Sequence, residues 1–131
     1  MLAVGRIRAP FADDLAHYAK LLRGQAQVDL VEVKDAAAVE RRIPDRAYRV
    51  LLDVGGRTLD SVALSRWLEE RRMAGRDVCF VIGGPAGIEL ARTDERLSFG
   101  PMTLPHQLAR VVLLEQLYRA HKILAGEPYH L

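Results

Sequence analysis

The regular alternation of short apolar runs with helical patterns constrains the fold of this chain more than any other feature. Apolar runs typical of strands lie at residues 1–5, 28–33, 48–53, 78–82 and 97–99. Apolar residues at helical spacing lie between and after them, from Phe11 to Leu22, at 36–42, from Leu64 to Leu68, at 86–93 and at 105–124. This alternation predicts one α/β domain over residues 1–131, with a mainly parallel sheet flanked by helices.

Local signals mark the ends of these elements. Gly24 is placed to end the first helix. Ser61 is placed to cap the third helix at its start, and Gly75 is placed to end that same helix. The run Val78 to Ile82 is the most apolar one, which predicts a central strand. The strand at 48–53 is expected to close on Gly55–Gly56.

Three loops are expected at the carboxyl edge of the sheet, where α/β proteins bind ligands. They follow Asp53, Ile82 and Phe99. Two of them carry a glycine pair and the third begins with Gly100–Pro101. Backbone groups in such loops are accessible to a ligand above the sheet edge.

The loop GGPAG at 83–87 is a candidate phosphate-binding loop, because paired glycines follow a strand. It lacks the lysine and hydroxyl of a P-loop, and its spacing does not fit the dinucleotide fingerprint. Pro85 also removes an N–H that an anion cradle would use. A phosphate site is therefore rejected. The loop can still bind a flat, uncharged ring such as adenine, because its glycines let the backbone approach the ring closely. The alternative is a tight turn that binds no ligand.

Composition narrows the class of protein. No apolar run approaches the ~20 residues of a membrane-spanning helix, and the N-terminus lacks a signal-peptide pattern. The single Cys79 lies in an apolar run, where a buried, inert thiol is expected. We expect a cytoplasmic protein without a metal site. Of the 19 basic residues only three are lysines, which suits RNA contacts or simply reflects a GC-rich genome.

A long motif gives a more specific indication. The segment LSFGPMTLPHQLARVVLLEQLYRAHKILAGEPYH at 97–130, together with FVIGGPAG at 80–87, resembles the bacterial 23S rRNA pseudouridine N3-methyltransferases. These enzymes belong to the SPOUT class, so the resemblance implies a C-terminal trefoil knot. It also implies a homodimer that uses S-adenosyl-L-methionine to modify 23S rRNA in the ribosome. The resemblance is weak between residues 36 and 46.

The resemblance assigns the cofactor to the three loops at the sheet edge. The matching positions are Leu52, Gly83, Phe99, Gly100, Pro101, Met102, Thr103 and Leu104.

Four residues are candidates for the chemistry, because the imide nitrogen N3 must lose its proton before it attacks. They are His106, Arg119, Tyr129 and His130. Alternative roles remain open: the His106 ring as a helix cap, Arg119 as an ion-pair partner, and a disordered tail. Many family members have a basic residue after the terminal histidine, where this chain has Leu131.

The last helix carries more apolar residues than one buried stripe needs. They are Leu108, Val111, Val112, Leu113, Leu114, Leu117, Tyr118 and Ile123. The excess favours a homodimer through this helix, and substitution of Leu113 or Leu117 by Glu is expected to disrupt it. The alternative is a helix sandwiched within one subunit.

Two other functions remain open. One is a SPOUT methyltransferase with another RNA substrate, and the other is a non-catalytic ribosome-binding module. In the favoured interpretation, Arg6 and Arg8 lie near the pocket edge and contact phosphates of the RNA.

Overall fold

The computed structural model describes residues 1–84 and 87–129. The strands are β1 Leu2–Val4, β2 Val31–Val33, β3 Tyr48–Thr58, β4 Val78–Ile82 and β5 Glu95–Ser98. The helices are α1 Phe11–Arg23, α2 Ala36–Arg42, α3 Ser61–Ala74 and α4 His106–Leu124.

The five strands form one sheet in the order β2-β1-β4-β3-β5, and every pair is parallel. The predicted α/β class with a parallel sheet and flanking helices is confirmed. β4 is the central strand, as its apolar sequence predicts. Because all strands run the same way, their carboxyl ends meet at one edge of the sheet.

Helices cover the two faces of the sheet unequally. Side chains alternate between the faces along a strand, so Phe80 contacts one core cluster and its neighbour Val81 contacts the other. The first cluster includes residues of α1, α3 and α4. The second is built with Val39 of α2 and with Ile88 of the loop after β4.

The start of α3 differs from the sequence prediction. The side chain of Asp60, not that of Ser61, caps the helix by accepting a hydrogen bond from the backbone N–H of Ala63 at 2.7 Å. Ser61 is the first helical residue, and its hydroxyl donates to Oε1 of Gln116 on α4 at 2.6 Å. The end of the helix is as predicted, with Gly75 in the left-handed region at φ 78°.

The bounds of four strands also differ. β1 covers Leu2–Val4 of the predicted 1–5, and β5 is Glu95–Ser98 rather than 97–99. β2 covers only Val31–Val33 of the predicted strand at 28–33. β3 does not stop before Gly55–Gly56 but continues to Thr58 after a register shift, so that Leu52 and Arg57 both align with Leu97.

The predicted helical turns at 86–93 are wrong for residues 87–93, which contain no helix; Pro85 and Ala86 lie outside the described residues. The backbone hydrogen bonds of this segment go elsewhere. Ala91 N–H donates to the Glu40 carboxylate at 2.6 Å, and Gly87 N–H donates to the carbonyl of Gly84 at 2.9 Å.

Candidate active site: a cavity at the carboxyl edge of the sheet

A cavity of about 1180 Å³ lies at the carboxyl ends of β3, β4 and β5. Its lining comes from the three loops that the sequence singled out and from the first turn of α4. The predicted cofactor residues that line it are Leu52, Gly83, Phe99, Gly100, Met102, Thr103 and Leu104. Pro101 is exposed and does not line the cavity.

The loop after β4 folds back tightly on itself at Gly83. A Cβ atom at this position would lie 2.9 Å from the carbonyl carbon of Gly87 and 2.9 Å from Cγ2 of Ile88. At Gly84 it would meet the Val4 side chain at ordinary distances, 3.5 Å from Cγ1 and 3.8 Å from Cβ. Gly83 is therefore required for the shape of the cavity wall, whether or not a ligand is bound.

Ser98 organises the third loop, and sequence reasoning missed it. Its hydroxyl accepts a hydrogen bond from Gly100 N–H at 3.0 Å and lies 2.9 Å from the Gly100 carbonyl oxygen, to which it can donate. Gly100 has φ 116°, a conformation that favours glycine. The apolar side chains of Phe99 and Met102, 39% and 75% exposed, lie at the cavity mouth.

An ion pair that the sequence did not predict lies at the rim. Nη1 of Arg96 is 3.1 Å from Oδ2 of Asp53, and both residues line the cavity. The pair joins β5 to β3, next to the register shift in β3. Its two side chains are about half exposed, so its contribution to stability is small.

His106 lies in the first turn of α4 and lines the cavity. Burial, followed by the positive charges of Arg110 and Arg8, lowers the pKa of its ring. Nδ1 is buried and has no hydrogen-bond partner among the described residues. No side chain caps α4, so the ring is not used as a helix cap. A neutral imidazole with an unpaired nitrogen is suited to accept a proton or a ligand hydrogen bond.

Gln107 and Arg110, which sequence reasoning missed, attach this turn of α4 to the loop after β1. The Gln107 side chain donates to the Arg6 carbonyl at 3.1 Å and accepts from Arg8 N–H at 2.9 Å. Arg110 is fully buried and donates to the Val4 carbonyl at 2.8 Å. No periodicity distinguishes these two residues from other polar positions on a helix.

The other described candidates lie away from the cavity. Arg119 follows His106 by ~20 Å along the helix axis, and neither it nor Tyr129 lines the cavity. Arg119 pairs with Glu115 on the preceding turn at 3.0 Å, and its guanidinium lies 5.0 Å from the centre of the Tyr129 ring. Burial and then the Glu115 charge raise the pKa of Tyr129. His130 and Leu131 lie outside the described residues.

The described part of the chain lacks two structural features, a membrane-spanning helix and a cluster of metal ligands. Among the described residues, no helix combines the length and apolarity needed to cross a membrane. Residues 1–84 and 87–129 contain no cluster of three or more His, Cys, Asp or Glu that could hold a metal ion.

Comparison with known proteins gives the class of enzyme to which this cavity belongs. A family described as "Predicted SPOUT methyltransferase" matches residues 1–130. The chain belongs to this family and is a methyltransferase, as the motif at 97–130 indicates.

Similar curated proteins carry a more particular name. The chain is 45% identical to the ribosomal RNA large subunit methyltransferase H of Gluconacetobacter diazotrophicus, over 99% of this chain and 95% of that protein. It is 46% identical to the protein of the same name from Rubrobacter xylanophilus, with 99% and 96% covered. For that of Gemmatimonas aurantiaca, the identity is 41% with 99% and 97% covered.

Proposed function

We propose that this methyltransferase uses S-adenosyl-L-methionine to methylate N3 of a pseudouridine in 23S rRNA of the assembled ribosome. It acts as a homodimer in the cytoplasm, and the C-terminal part of each chain has the trefoil knot of the SPOUT class. The name shared by its relatives supports an rRNA substrate. One structural observation carries most weight. Seven of the eight residues that motif matching assigns to the cofactor, spread from Leu52 to Leu104, line a single cavity.

The cavity suits the proposed cofactor. Its volume of about 1180 Å³ is ample for a nucleoside-sized ligand with an amino-acid tail, given the ~300–1,000 Å³ typical of ligand pockets. Glycines at 83, 84, 87 and 100 leave backbone groups accessible on two sides. Leu52, Phe99 and Leu104 add apolar surface for an adenine ring. These residues would hold the cofactor, which supplies an electrophilic methyl group on a sulfonium.

The described residues suggest how the acceptor is prepared. Methyl transfer is an in-line displacement, so much of the rate comes from alignment in a rigid site. The neutral His106 imidazole lines the cavity, and we assign it to accept a proton from N3. Arg119, Tyr129 and the tail residue His130 remain candidates for stabilising the imide anion.

A homodimer reconciles the two separated groups of candidate residues. Arg119 and Tyr129 lie far from the cavity of their own chain, so they act in methyl transfer only if they reach the cavity of a second copy. The exposed apolar side chains of Val54, Phe99 and Met102 around the cavity mouth favour such a covering partner.

Labelled methyl transfer tests the proposal. Protein-free 23S rRNA, isolated large subunits and whole ribosomes are compared as substrates, each with uridine or pseudouridine at the target position. We expect preference for assembled ribosomes carrying pseudouridine, and mass mapping of the product places the methyl group on N3. Equal activity on the uridine form or on free rRNA would favour a SPOUT enzyme with another substrate. Absence of cofactor binding would favour a non-catalytic ribosome-binding module.

A further inference from the structure

We propose that the loop at residues 5–10 is a preformed RNA-phosphate contact, in which Arg6 and Arg8 bind the backbone flanking the target nucleotide. The inference rests on the proposed function. It adds a specific substrate-binding surface beside the cavity, outside the residues matched to the cofactor.

Three consecutive residues of this loop are held by side chains from other elements. Gln107, itself only 6% exposed, bonds both the Arg6 carbonyl at 3.1 Å and the Arg8 N–H at 2.9 Å. Ile7 N–H donates to Oε2 of Glu32, the residue after Val31 on β2, at 2.5 Å. Polar side chains thus fix the backbone of a segment that carries two exposed arginines.

A buried charge also holds the Glu32 carboxylate that bonds Ile7 N–H. Nη1 of Arg110 lies 3.1 Å from Oε2 of Glu32, the atom that also accepts from Ile7 N–H. Arg110 is 0% exposed, and burial of a guanidinium is costly unless it is paired and hydrogen-bonded. The Glu32 carboxylate, 42% exposed, is therefore held in place by a cation that cannot move into solvent. This arrangement keeps the loop rigid, so little ordering is needed when a ligand binds.

Arg6 and Arg8 differ from Arg96, the arginine that lines the cavity, because their charges are not neutralised. Arg96 pairs with Asp53 at 3.1 Å. Within the described residues, the exposed side chains of Arg6 and Arg8 form no hydrogen bond or ion pair. Two unpaired guanidinium groups on a fixed loop are suited to phosphate oxygens.

The loop also lies beside the cavity. Gln107, which holds it, directly follows His106 in the cavity wall, and the Arg8 charge contributes to the lowered pKa of His106. In RNA recognition, phosphate contacts fix the register of the strand while the site reads the base. A base inserted beside His106 brings its flanking phosphates to this side of the rim.

Steady-state methyl transfer to ribosomes over a range of salt concentrations tests the proposal. The variants are Arg6→Gln, Arg8→Gln and the double variant, with Arg46→Gln as control. Arg46 is also exposed, but it precedes β3 and so lies at the opposite edge of the sheet. For the double variant we expect the ribosome KM to rise about tenfold or more, with kcat and cofactor affinity unchanged, and the salt dependence of log kcat/KM to become shallower by about one for each arginine removed.

The variant Gln107→Ala distinguishes the effect of the arginine charges from the effect of holding the loop in position. It keeps both arginines but frees the loop, so KM should rise while the salt dependence stays like that of the unmodified enzyme. If the double variant matches Arg46→Gln in KM and salt dependence, the phosphate contact is wrong. If the unmodified protein binds the cofactor but methylates no ribosome, the proposed substrate is wrong instead.

Discussion

His106 illustrates how one residue acquires a chemical role from its surroundings. Burial lowers its pKa, so the folded protein disfavours the charged ring. In the unfolded chain the ring titrates near its ordinary value of about 6.5. The stability associated with His106 is therefore fully present above that value and is lost as the pH falls from about 6.5 through the lower folded pKa.

The corresponding prediction concerns His106→Asn. Urea unfolding at pH 7.5, 6.5 and 5.5 should show a smaller loss of stability on acidification for this variant than for the unmodified protein. His121→Asn is the comparison, because burial also lowers the pKa of His121 on the last turn of the same helix, away from the cavity. Only His106→Asn should also reduce kcat. Parallel pH dependences for His106→Asn and the unmodified protein would show that His106 is not desolvated in solution.

Two adjacent glycines give a second prediction at the residue scale. Gly83→Ala forces the 87–88 backbone to move, whereas Gly84→Ala makes an ordinary contact with Val4. Isothermal titration with S-adenosylmethionine or its demethylated product should give micromolar binding, about −8 kcal/mol, for the unmodified protein and for Gly84→Ala. Gly83→Ala should bind about tenfold more weakly or worse, because the cavity wall is displaced. Equal affinity for the two variants would remove this loop from the cofactor site.

At the scale of elements, periodicity predicts which strands and helices exist better than where they end. The apolar runs locate all five strands, and α2 and β4 have the predicted bounds, because burial on the sheet imposes the pattern. The helix prediction fails for residues 87–93 because Ile88 and Leu90 pack against the second core cluster without forming a helix. Tertiary partners decide this, and local sequence does not contain them.

Glu40 is the most informative of these partners. Its carboxylate accepts from Ala91 N–H at 2.6 Å and from Arg49 at 2.9 Å, and the Ala91 bond is the main cause of its lowered pKa. Arg49 also bonds the Arg92 carbonyl at 3.3 Å. The chain leaving the cavity loop is thus attached to α2 and β3.

We predict that Glu40→Ala weakens cofactor binding about tenfold, because the loop loses a hydrogen bond to a charged acceptor. Glu40→Gln, which keeps an acceptor oxygen, should show a smaller loss. Val39→Ala on the same helix is the control: its fully buried side chain should cost on the order of 2 kcal/mol of stability but leave affinity unchanged. Affinity that follows the melting temperature across all three variants would mean that Glu40 acts only on stability.

For the whole molecule, the main correction concerns the last helix. α4 lies between α1 and α3, and Leu113 and Leu117 are buried in their own chain at 2% and 7% exposure. Their apolar character therefore needs no partner subunit, and a Glu there would disrupt the core rather than an interface. The partly exposed stripe at Leu108, Val112, Glu115 and Arg119 is the available face, since these positions repeat at helical spacing.

We predict a dimer that depends on this stripe. Sedimentation at micromolar concentration should give twice the chain mass for the unmodified protein and for Met73→Glu, a control at an 81% exposed apolar residue on α3. Val112→Glu should give the single chain mass with an unchanged circular dichroism spectrum and greatly reduced methyl transfer. A folded, fully active monomer would exclude a site shared between two copies.

The candidate site shows a similar division between what sequence can and cannot predict. Motif matching selected cavity residues from Leu52 to Leu104 because the family resemblance extends across the three loops. It could not select Gln107 or Arg110, whose roles depend on partners such as Arg6, Val4 and Glu32 that only the folded chain brings near. Ser98 bonds the nearby Gly100 and was missed because a serine at the end of a strand has no distinctive pattern. Similarly, the separation of Arg119 from the cavity follows from the length of α4 and has no local signal.

Hydrogen exchange with and without the demethylated cofactor product tests most directly whether the cavity is the cofactor site. We expect slower exchange at 52–56, 83–90 and 99–104, the three strand-end loops, with little change in the basic groove at residues 71–78 on the other side of the molecule. Protection confined to that groove, or no protection of the three loops at saturating ligand, would contradict the assignment of this cavity to S-adenosylmethionine.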